Sequence, residues 1–435
     1  MPPDLVTAYC ALLVNNVVEI VAPSRLGKSY RWLLASSWTT NLGDGIAVAA
    51  GPLLVASLTH NAFLISLAAL LRWAPPLIFG LHAGVLSDRL DRRKIIIAAD
   101  GSRAVILTVL ALALATGHLS AGAAVIALGL LATAEVFADN TAGTLTPMLV
   151  QRDDLALANA RLGTGFITLN QLVGPPIGAA LFTAGRIWPF VGDAVLVAAG
   201  VLMVMKMTLT PTSRTETEAT DASVWRDMAE GVRWTIRHPA VRTLVLTILI
   251  FNVTFGAAWS VLVIYAQQRL DLGSIGFGLI TSVSAVGGLL GTASYGWITK
   301  RVSLGNIMRI GLIIETLTHL ALAVTTSAWI ACAIFFVFGA HAFIWGTTSL
   351  TVRQRAVPEQ LQGRVNSVNT IGVFGGLVVG SAIGGVLATN FGVTAPFWFA
   401  FVGSAIFVLL LWRELTRIAH DDEHPHVEEP VPAAA

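Results

Sequence analysis

Charged side chains are scarce in this chain. They make up 12% of the 435 residues, whereas a soluble globular protein carries about 25%. Only two cysteines occur, Cys10 and Cys332, so a disulfide framework is excluded. The sequence also lacks a nucleophile with a histidine base, a metal-ligand spacing and a complete phosphate-binding loop. We therefore expect neither an enzyme nor a protein that binds a metal, a cofactor or a nucleic acid.

Long apolar stretches replace the missing charge. Apolar residues form 55% of the chain, and stretches of about 18 or more, each able to cross the bilayer as a helix, recur throughout. Hydropathy predicts twelve spans, numbered 1 to 12 in chain order: 32–57, 62–86, 95–117, 121–147, 158–184, 188–209, 243–267, 275–299, 305–326, 328–351, 365–389 and 395–412. The sequence therefore predicts an all-α membrane protein embedded in a lipid bilayer.

The cationic residues are distributed unequally between the two sides of the predicted membrane. Of the 27 Lys and Arg residues, 23 fall on the side that holds both termini and the turn after span 2. Arg186 and Arg269 fall on the other side, and Arg72 and Arg103 fall within spans. Because cytoplasmic loops carry such an excess of cations, we expect a multi-pass protein of the plasma or inner membrane with both termini in the cytoplasm.

The longest connection divides the chain near its middle. Within it Trp225, Met228, Val232 and Ile236 recur at helical spacing, which predicts an amphipathic helix on the inner leaflet. The first thirty residues are interpreted as a loose cytoplasmic extension, with a surface helix as the alternative. The predicted domains are an N-terminal extension (1–30), an N-terminal six-helix bundle (31–210), a cytoplasmic linker (211–242), a C-terminal six-helix bundle (243–415) and a disordered tail (416–435).

An internal repeat relates the two halves of the chain. Residues 150–159 align with 357–366, and residues 174–178 align with 380–384 shortly afterwards. Because both matches come in the same order and accompany equivalent spans, we interpret spans 5 and 11 as copies within two parallel halves.

Spans 5 and 11 also carry a helix-packing motif of small residues. Glycine recurs at every fourth position of span 11, which leaves one face without side chains and lets another helix approach closely. A static packing surface and a surface on which helices slide are both consistent with this pattern. The motif consists of Gly163, Gly174, Pro175 and Gly178 in span 5 and Gly372, Gly376, Gly380 and Gly384 in span 11.

The turn between spans 2 and 3 carries the most specific motif. It reads Gly84-x-Leu86-x-Asp88-Arg89-x-x-Arg92-Arg93, which is similar to the signature of the major facilitator superfamily. The resemblance implies two pseudo-symmetric six-helix bundles around a central cavity, and we expect a monomer. Segments 31–36, 41–45, 230–233 and 358–364 resemble the branch that contains macrolide-efflux pumps and the enterobactin exporter.

The sequence departs from the patterns of this superfamily in three places. Span 5 resembles the antiporter motif of exporters, but Asn170 and Ala179 stand where glycines are expected. The second copy of the signature, after span 8, has Lys300 in place of the aspartate. Span 4 has Glu135 and Asp139 but lacks the arginine of many drug/proton antiporters, so proton coupling assisted by that arginine is not expected.

Asp88 ends span 2 and is the centre of a predicted gating motif with Gly84, Arg89, Arg92 and Arg93. Span 11 begins on the same side of the membrane, and a helix N-terminus stabilises a nearby carboxylate by about 0.3–1 kcal/mol. We expect this contact to join the two halves when the cavity opens outward, with the arginines extending it to ion pairs or lipid phosphates. A loop that only fixes the orientation of the chain is the alternative.

Ionisable residues inside the spans are the candidates for transport chemistry. Asp44 lies in span 1, and Glu135 and Asp139 lie one turn apart in span 4. Each costs about 2.5–3.5 kcal/mol at a helix centre, so each should face a cavity or a partner. The resemblance implies that spans 1 and 4 line the cavity. We hypothesise that the three acids exchange a proton for a cationic or amphiphilic substrate; a structural pair neutralised by Arg72 in span 2 is the alternative.

Three further ionisable residues of the first half are interpreted as structural. Arg103 lies nearer the inner surface than Arg72, and Asp100 is its expected local partner because the two lie on one face of a helix. Asp193 lies near the outer end of span 6 and is interpreted as a helix cap.

The second half offers weaker candidates. Glu315 and His319 share a face of span 9 and predict a structural hydrogen bond, and a proton role for His341 in span 10 stays open. Trp259 and Trp345 line either a greasy pocket or the lipid-facing surface.

The resemblance implies a secondary active exporter of hydrophobic or amphiphilic small molecules, as in drug or multidrug efflux, with proton-coupled antiport by alternating access. A transporter of one endogenous metabolite, such as a siderophore or a lipid, is the first alternative. A membrane sensor that binds its ligand without transporting it is the second.

Overall fold

The computed structural model describes Glu19 and residues 21–208, 221–358 and 361–415, without the side chains of Leu81, Asp88 and residues 221–228. Most of the predicted N-terminal extension and the predicted tail 416–435 therefore lie outside the described residues. The part of the chain that the structure describes is helical and contains no β-strand.

Long helices joined by short turns make up the described chain. They are α1 (Lys28–Leu58), α2 (Ala62–Arg89), α3 (Arg92–Ala115), α4 (Ala121–Leu149), α5 (Leu155–Gly165), α6 (Gly174–Ala184), α7 (Trp188–Met205), α8 (Asp221–Arg237), α9 (Pro239–Trp259), α10 (Leu262–Gln268), α11 (Ser274–Thr299), α12 (Leu304–Val324), α13 (Ala328–Ala356), α14 (Gln362–Phe391) and α15 (Ala395–Leu411). A π-helical segment, Phe166–Val173, joins α5 to α6.

The helices have the lengths that a membrane requires. Among the described residues, 11 helical segments are long and apolar enough to cross a bilayer, and α15 is a shorter apolar helix of 17 residues. This count treats α5, the π-helical segment and α6 as one span. The prediction of an all-α membrane protein is confirmed, and α15 corresponds to the predicted twelfth span.

Polar caps determine where several helices begin. The side chain of Asn61 accepts hydrogen bonds from the N–H groups of Phe63 and Leu64 at the start of α2. Asp91 accepts in the same way from Arg93 and Lys94, and so begins α3 inside the signature turn. Such a cap stabilises a helix by about 1 kcal/mol, because it satisfies N–H groups that have no partner within the helix.

Helices α1–α7 and residues 271–282 form one compact unit, called unit 1. In it α1 packs against α6 and α7, while α4 packs against α2 and α3. The Tyr30 hydroxyl donates to the carbonyl of Ala158 at 2.8 Å, which joins the start of α1 to α5 in a buried apolar cluster.

Glycines allow α1 and α6 to meet backbone to backbone. A Cβ atom on Gly45 would lie 2.6 Å from the Asn170 carbonyl oxygen, and one on Gly174 would lie 2.5 Å from the Gly45 Cα atom. A Cβ on Gly178 would clash with the carbonyl of Ile46. Only glycine permits this separation, because every other residue carries the Cβ atom.

Helices α8–α10, residues 283–299 of α11 and helices α12–α15 form the second compact unit, called unit 2. Its largest interface joins α9 to α14. The predicted glycine face of span 11 lies in this interface. A Cβ on Gly376 would lie 2.6 Å from the Leu249 carbonyl oxygen, and those on Gly380 and Gly384 would clash with backbone of α9.

Two spans depart from the continuous α-helices that hydropathy predicts. Span 7 is interrupted at Ser260 and Val261, between α9 and α10. The Ser260 hydroxyl donates to the Ala257 carbonyl at 3.1 Å, a local bond that competes with helical hydrogen bonding. Span 5 contains the π-helical segment, which lies against α1 where Gly45 offers no side chain.

Candidate functional site

A buried arginine holds two carboxylates inside unit 1. The guanidinium of Arg103 on α3 donates to Oδ1 of Asp100, one turn earlier, at 2.9 Å, and also pairs with Oδ1 of Asp44 on α1. The exposed fractions are 3% for Arg103, 4% for Asp100 and 7% for Asp44. The expected local pair of Asp100 and Arg103 is confirmed, whereas the partner of Asp44 was not anticipated.

Asp44 and Arg103 come together because α1 and α3 both pack against α7. Depth along the predicted spans does not identify this ion pair, because Arg72 in span 2 lies at least as close to the depth of Asp44 as Arg103 in span 3 does. The choice of Arg103 as the partner follows from the packing of the helices.

Three more carboxylates surround this ion pair. Asp193 on α7 is 2% exposed, lies against Gly43, and its Oδ1 has no hydrogen-bond partner among the described residues. Glu135 and Asp139 lie one turn apart on α4, the first half-buried and the second exposed. All three are close enough for their charges to act on Asp44. Around Arg103 the carboxylates therefore outnumber the guanidinium five to one.

Arg72 lies outside this cluster. Its guanidinium lies over the ring of the neighbouring Trp73, 5.5 Å from the ring centroid. Its charge acts on Asp139, but no salt bridge joins it to a carboxylate within the described chain.

The signature turn is braced within unit 1. The Arg93 Nε atom donates to the Val204 carbonyl at the end of α7 at 3.2 Å, and its Nη2 bonds to the carbonyl of Met205. Arg92 donates to the hydroxyl of Thr144 on α4 at 3.0 Å. These bonds fix the start of α3 against two neighbouring helices. The side chain of Asp88 lies outside the described part of the structure.

A cavity of about 740 Å³ opens beside the same turn. Its walls come from α2, α3 and α4 and are mostly apolar, while Arg89, Asp91 and Lys94 supply charge at the turn. Gly84 lies in α2 near this turn, and the space around its Cα is open.

Some residues of the span 5 motif pack against neighbouring helices, and others have open space around them. Gly174 and Gly178 touch α1, as described above. Pro175 packs against residues of unit 1 at the start of α11, where a Cβ on Gly278 would lie 2.8 Å from the Pro175 carbonyl oxygen. Gly163 has open space around it. The side chain of Asn170 is buried inside the π-helical segment.

Unit 2 contains an aromatic cluster next to a buried carboxylate. Phe251, Phe255 and Trp259 recur at every fourth position of α9, and Phe255 stacks on Trp259 at 4.3 Å between ring centroids. Trp345 of α13 stacks on Phe251 at 5.7 Å and is 6% exposed. Both tryptophans therefore pack in this aromatic cluster, Trp345 buried and Trp259 half-buried. Behind it, Glu315 bonds to His319 and His341.

Helices of this length and apolar composition, with ionisable side chains buried between them, are those of a multi-pass membrane protein. Solved structures agree with this fold. A variant of the nucleoside transporter NupG superposes with a TM-score of 0.72 over 89% of this chain and 100% of its own, at 11% identity. A bacterial homologue of the iron transporter ferroportin, in its inward-facing state, gives 0.71 over 89% and 98%, at 15% identity. Both have the major facilitator fold, and the predicted fold is confirmed.

The family model described as transmembrane secretion effector matches residues 20–433, and the chain belongs to this family of the major facilitator superfamily. The resemblance found in the signature turn is thereby confirmed.

Curated relatives of the chain are exporters. It is 27% identical to the multidrug efflux pump Tap of Mycolicibacterium fortuitum, over 84% of this chain and 90% of Tap. It is 23% identical to the enterobactin exporter EntS of Salmonella typhimurium, over 92% and 95%. It is also 23% identical to macrolide efflux protein A of Streptococcus pyogenes, over 81% and 87%.

Proposed function

We propose that this chain is a secondary active exporter of hydrophobic or amphiphilic small molecules, and that proton entry drives it by antiport. The names of its relatives support export, since they include a multidrug pump, a macrolide efflux protein and a siderophore exporter. The bundles 31–210 and 243–415 would alternate access to the two sides, joined by the linker 211–242. The cationic side of the chain would be cytoplasmic, with both termini there, and a single chain would suffice.

The excess of carboxylates around Arg103 is the observation that carries the proton coupling. One guanidinium can neutralise only part of five carboxylates, and an ionised side chain at the centre of a membrane span costs about 2.5–3.5 kcal/mol unless it faces a cavity or a partner. The remaining acids are therefore the ones available to bind protons or a cationic substrate. Because Asp44 and Asp100 are already bonded to Arg103, we assign the exchange to Glu135 and Asp139, with Asp193 beside them.

The roles of the residues follow from this arrangement. Arg103 positions Asp44 and Asp100 and lowers the cost of burying them. Glu135 and Asp139 would release their proton when a cationic substrate binds from the cytoplasm and take up another proton after the substrate leaves. The membrane potential contributes about 2.3 kcal/mol per charge per 100 mV.

Transport of a fluorescent lipophilic cation into inside-out membrane vesicles tests this proposal. With an imposed proton gradient, Glu135→Gln and Asp139→Asn should each reduce uptake at least about tenfold, equivalent to about 1.4 kcal/mol. Asp271→Asn, in an exposed loop where asparagine fits the positive φ of 51°, is the matched control and should transport like the parent. Gradient-driven uptake unchanged in both variants would rule out the acid cluster as the coupling site.

Export of one endogenous metabolite is the second candidate. The match to the enterobactin exporter, over 92% of this chain, favours it. Susceptibility of a deletion strain to chemically diverse toxins separates the two candidates. Broad sensitisation indicates multidrug export, and an unchanged profile with accumulation of one internal compound indicates the narrow exporter. A membrane sensor would show binding without transport in the vesicles.

A further inference from the structure

A carboxylate in unit 2 is held between two imidazoles. Glu315 and His319 lie one turn apart on α12, and His341 lies on α13. The His319 Nε2 atom is 2.9 Å from Oε1 of Glu315, and the His341 Nε2 atom is 3.3 Å from Oε2. The exposed fractions are 1%, 0% and 5% for Glu315, His319 and His341. Each carboxylate oxygen therefore has its own imidazole, and all three side chains are buried.

Aromatic rings cover this triad of Glu315, His319 and His341. The ring of Trp259 lies edge-on to His319 at 6.2 Å between centroids. Phe251 and Phe338 lie at 6.4 and 6.0 Å from the ring of His341. Phe251 and Trp259 are themselves half-buried, so they separate the triad from a partly exposed surface of α9.

The other charged or titratable groups on the packed helices lie away from the triad. Arg309 on α12 bonds to the Trp412 carbonyl, while Tyr265 on α10 and Arg269 after it bond to carbonyls at the end of α12. Arg242 lies at the start of α9, Cys332 at the start of α13, and Arg353 and Arg355 at the end of α13; α15 has none. On α11, which packs against α13, the Tyr295 hydroxyl accepts from the Thr348 hydroxyl at 3.4 Å. Within the described residues, the charges that act on Glu315 are those of His319 and His341.

The hydrogen-bond geometry determines how many protons the triad holds. Both Nε2 atoms face a carboxylate oxygen, so each donates a hydrogen to it when Glu315 is ionised. Both Nδ1 atoms are buried and have no hydrogen-bond partner among the described residues. With two neutral imidazoles the triad carries a charge of −1 in an apolar surrounding, which is strongly unfavourable. One added proton, on either Nδ1 atom, makes the triad neutral.

We propose that Glu315, His319 and His341 form a proton-binding site in unit 2, separate from the acid cluster around Arg103. The triad takes up one proton and alternates between charges of −1 and 0 during transport. A purely structural hydrogen bond needs only one imidazole, and it would not leave two buried Nδ1 atoms without partners. The role of this site in coupling rests on the proposed function, whereas its protonation does not.

Protonation is measured directly on the full-length protein in liposomes. Histidine labelled with ¹⁵N reports by solid-state NMR whether each imidazole is neutral or charged, and loss of a signal in His319→Gln or His341→Gln assigns it. We expect one of the two imidazoles to become charged as the pH falls from about 8 to 5, the range in which histidine titrates. In Glu315→Gln the counter-charge is absent, so this change should disappear from that range.

Glu315→Gln keeps the size of the side chain and one accepting oxygen, and its NH₂ group can donate to the second imidazole in the other tautomer. Counterflow of the same fluorescent lipophilic cation verifies that the variant is folded. Counterflow exchanges substrate without net proton movement, so it should stay within about twofold of the parent. Gradient-driven transport should fall at least about tenfold, as expected when a coupling group loses its charge.

The outcomes separate the two proposals. If both imidazoles stay neutral from pH 8 to 5, or titrate unchanged in Glu315→Gln, the triad is not a proton site. If the triad titrates but Glu315→Gln retains full gradient-driven transport, its role in coupling is wrong. If the parent protein is not driven by a proton gradient at all, the proposed function fails, while the NMR titration still decides the site.

Discussion

The side chain of Arg103 neutralises buried carboxylates of two different helices inside unit 1. It is 3% exposed and bonded to two carboxylates from two different helices. Neither carboxylate has another cation bonded to it in the described structure. The contribution of Arg103 to stability is therefore the cost of leaving Asp44 and Asp100 without a counter-charge.

Replacing Arg103 with methionine should destabilise the protein by about 3–5 kcal/mol, the usual cost of breaking a buried ion pair from one side. Thermal unfolding in detergent micelles measures this change. Adding Asp44→Asn and Asp100→Asn to Arg103→Met should recover much of the loss, because the buried charges are then gone.

Arg72→Met is the matched control for this experiment. It also replaces an arginine with methionine, but at a half-buried position that has no salt bridge in the described chain. Arg72→Met should therefore lower the melting temperature much less than Arg103→Met does. Equal effects of Arg72→Met and Arg103→Met would contradict the assigned importance of the ion pair.

Helix-to-helix contact through glycine is the main feature at the scale of elements. In unit 1, Gly178 of α6 lies against the backbone of α1, and in unit 2 the aligned Gly384 of α14 lies against the backbone of α9. The same backbone approach thus recurs at positions that the internal repeat places in equivalent spans. This recurrence is consistent with a duplication of six helices.

Gly178→Ala should destabilise unit 1 by about 1–3 kcal/mol, because the new methyl group meets the Ile46 carbonyl and forces α6 away from α1. Gly163→Ala is the matched control. The new Cβ atom at position 163 meets open space, so the higher helix propensity of alanine should stabilise the protein by up to about 1 kcal/mol. Opposite shifts in melting temperature are expected, and shifts of the same sign would refute the packing argument.

At the scale of the whole molecule, charge predicts the orientation in the membrane. The short connection before α11 would lie outside the cell, and the connection between α11 and α12 would lie in the cytoplasm. Single cysteines at the exposed positions Gly273 and Ser303 test this in a background with Cys10→Ser and Cys332→Ser.

A membrane-impermeant maleimide applied to intact cells should label Gly273→Cys and leave Ser303→Cys unlabelled until the membrane is permeabilised. The reverse pattern would invert the proposed topology and, with it, the direction of transport.

Hydropathy and charge predicted the number of spans and the class of fold. Each span is recognised from a stretch of residues that are consecutive in sequence, so no knowledge of helix packing is needed. Local pairs such as Asp100 with Arg103 and Glu315 with His319 were predicted for the same reason, since helical spacing alone brings them together.

Contacts between residues on different helices could not be predicted from hydropathy, charge or helical spacing. The bond from Arg103 to Asp44 depends on how α1 and α3 pack around α7, and hydropathy does not contain that arrangement. The addition of His341 to Glu315 depends likewise on the packing of α13 against α12. The π-helical segment in span 5 also leaves no hydropathy signal, because its apolar composition matches that of an α-helix.

The ion pair on α1 has a consequence for biosynthesis. Asp44 leaves the ribosome 59 residues before Arg103. At about 5–20 residues per second, Arg103 therefore reaches the insertion machinery roughly 3–12 s after Asp44. During this interval the Asp44 carboxylate must be protonated or shielded from lipid, until the helix that carries Arg103 is inserted two spans later.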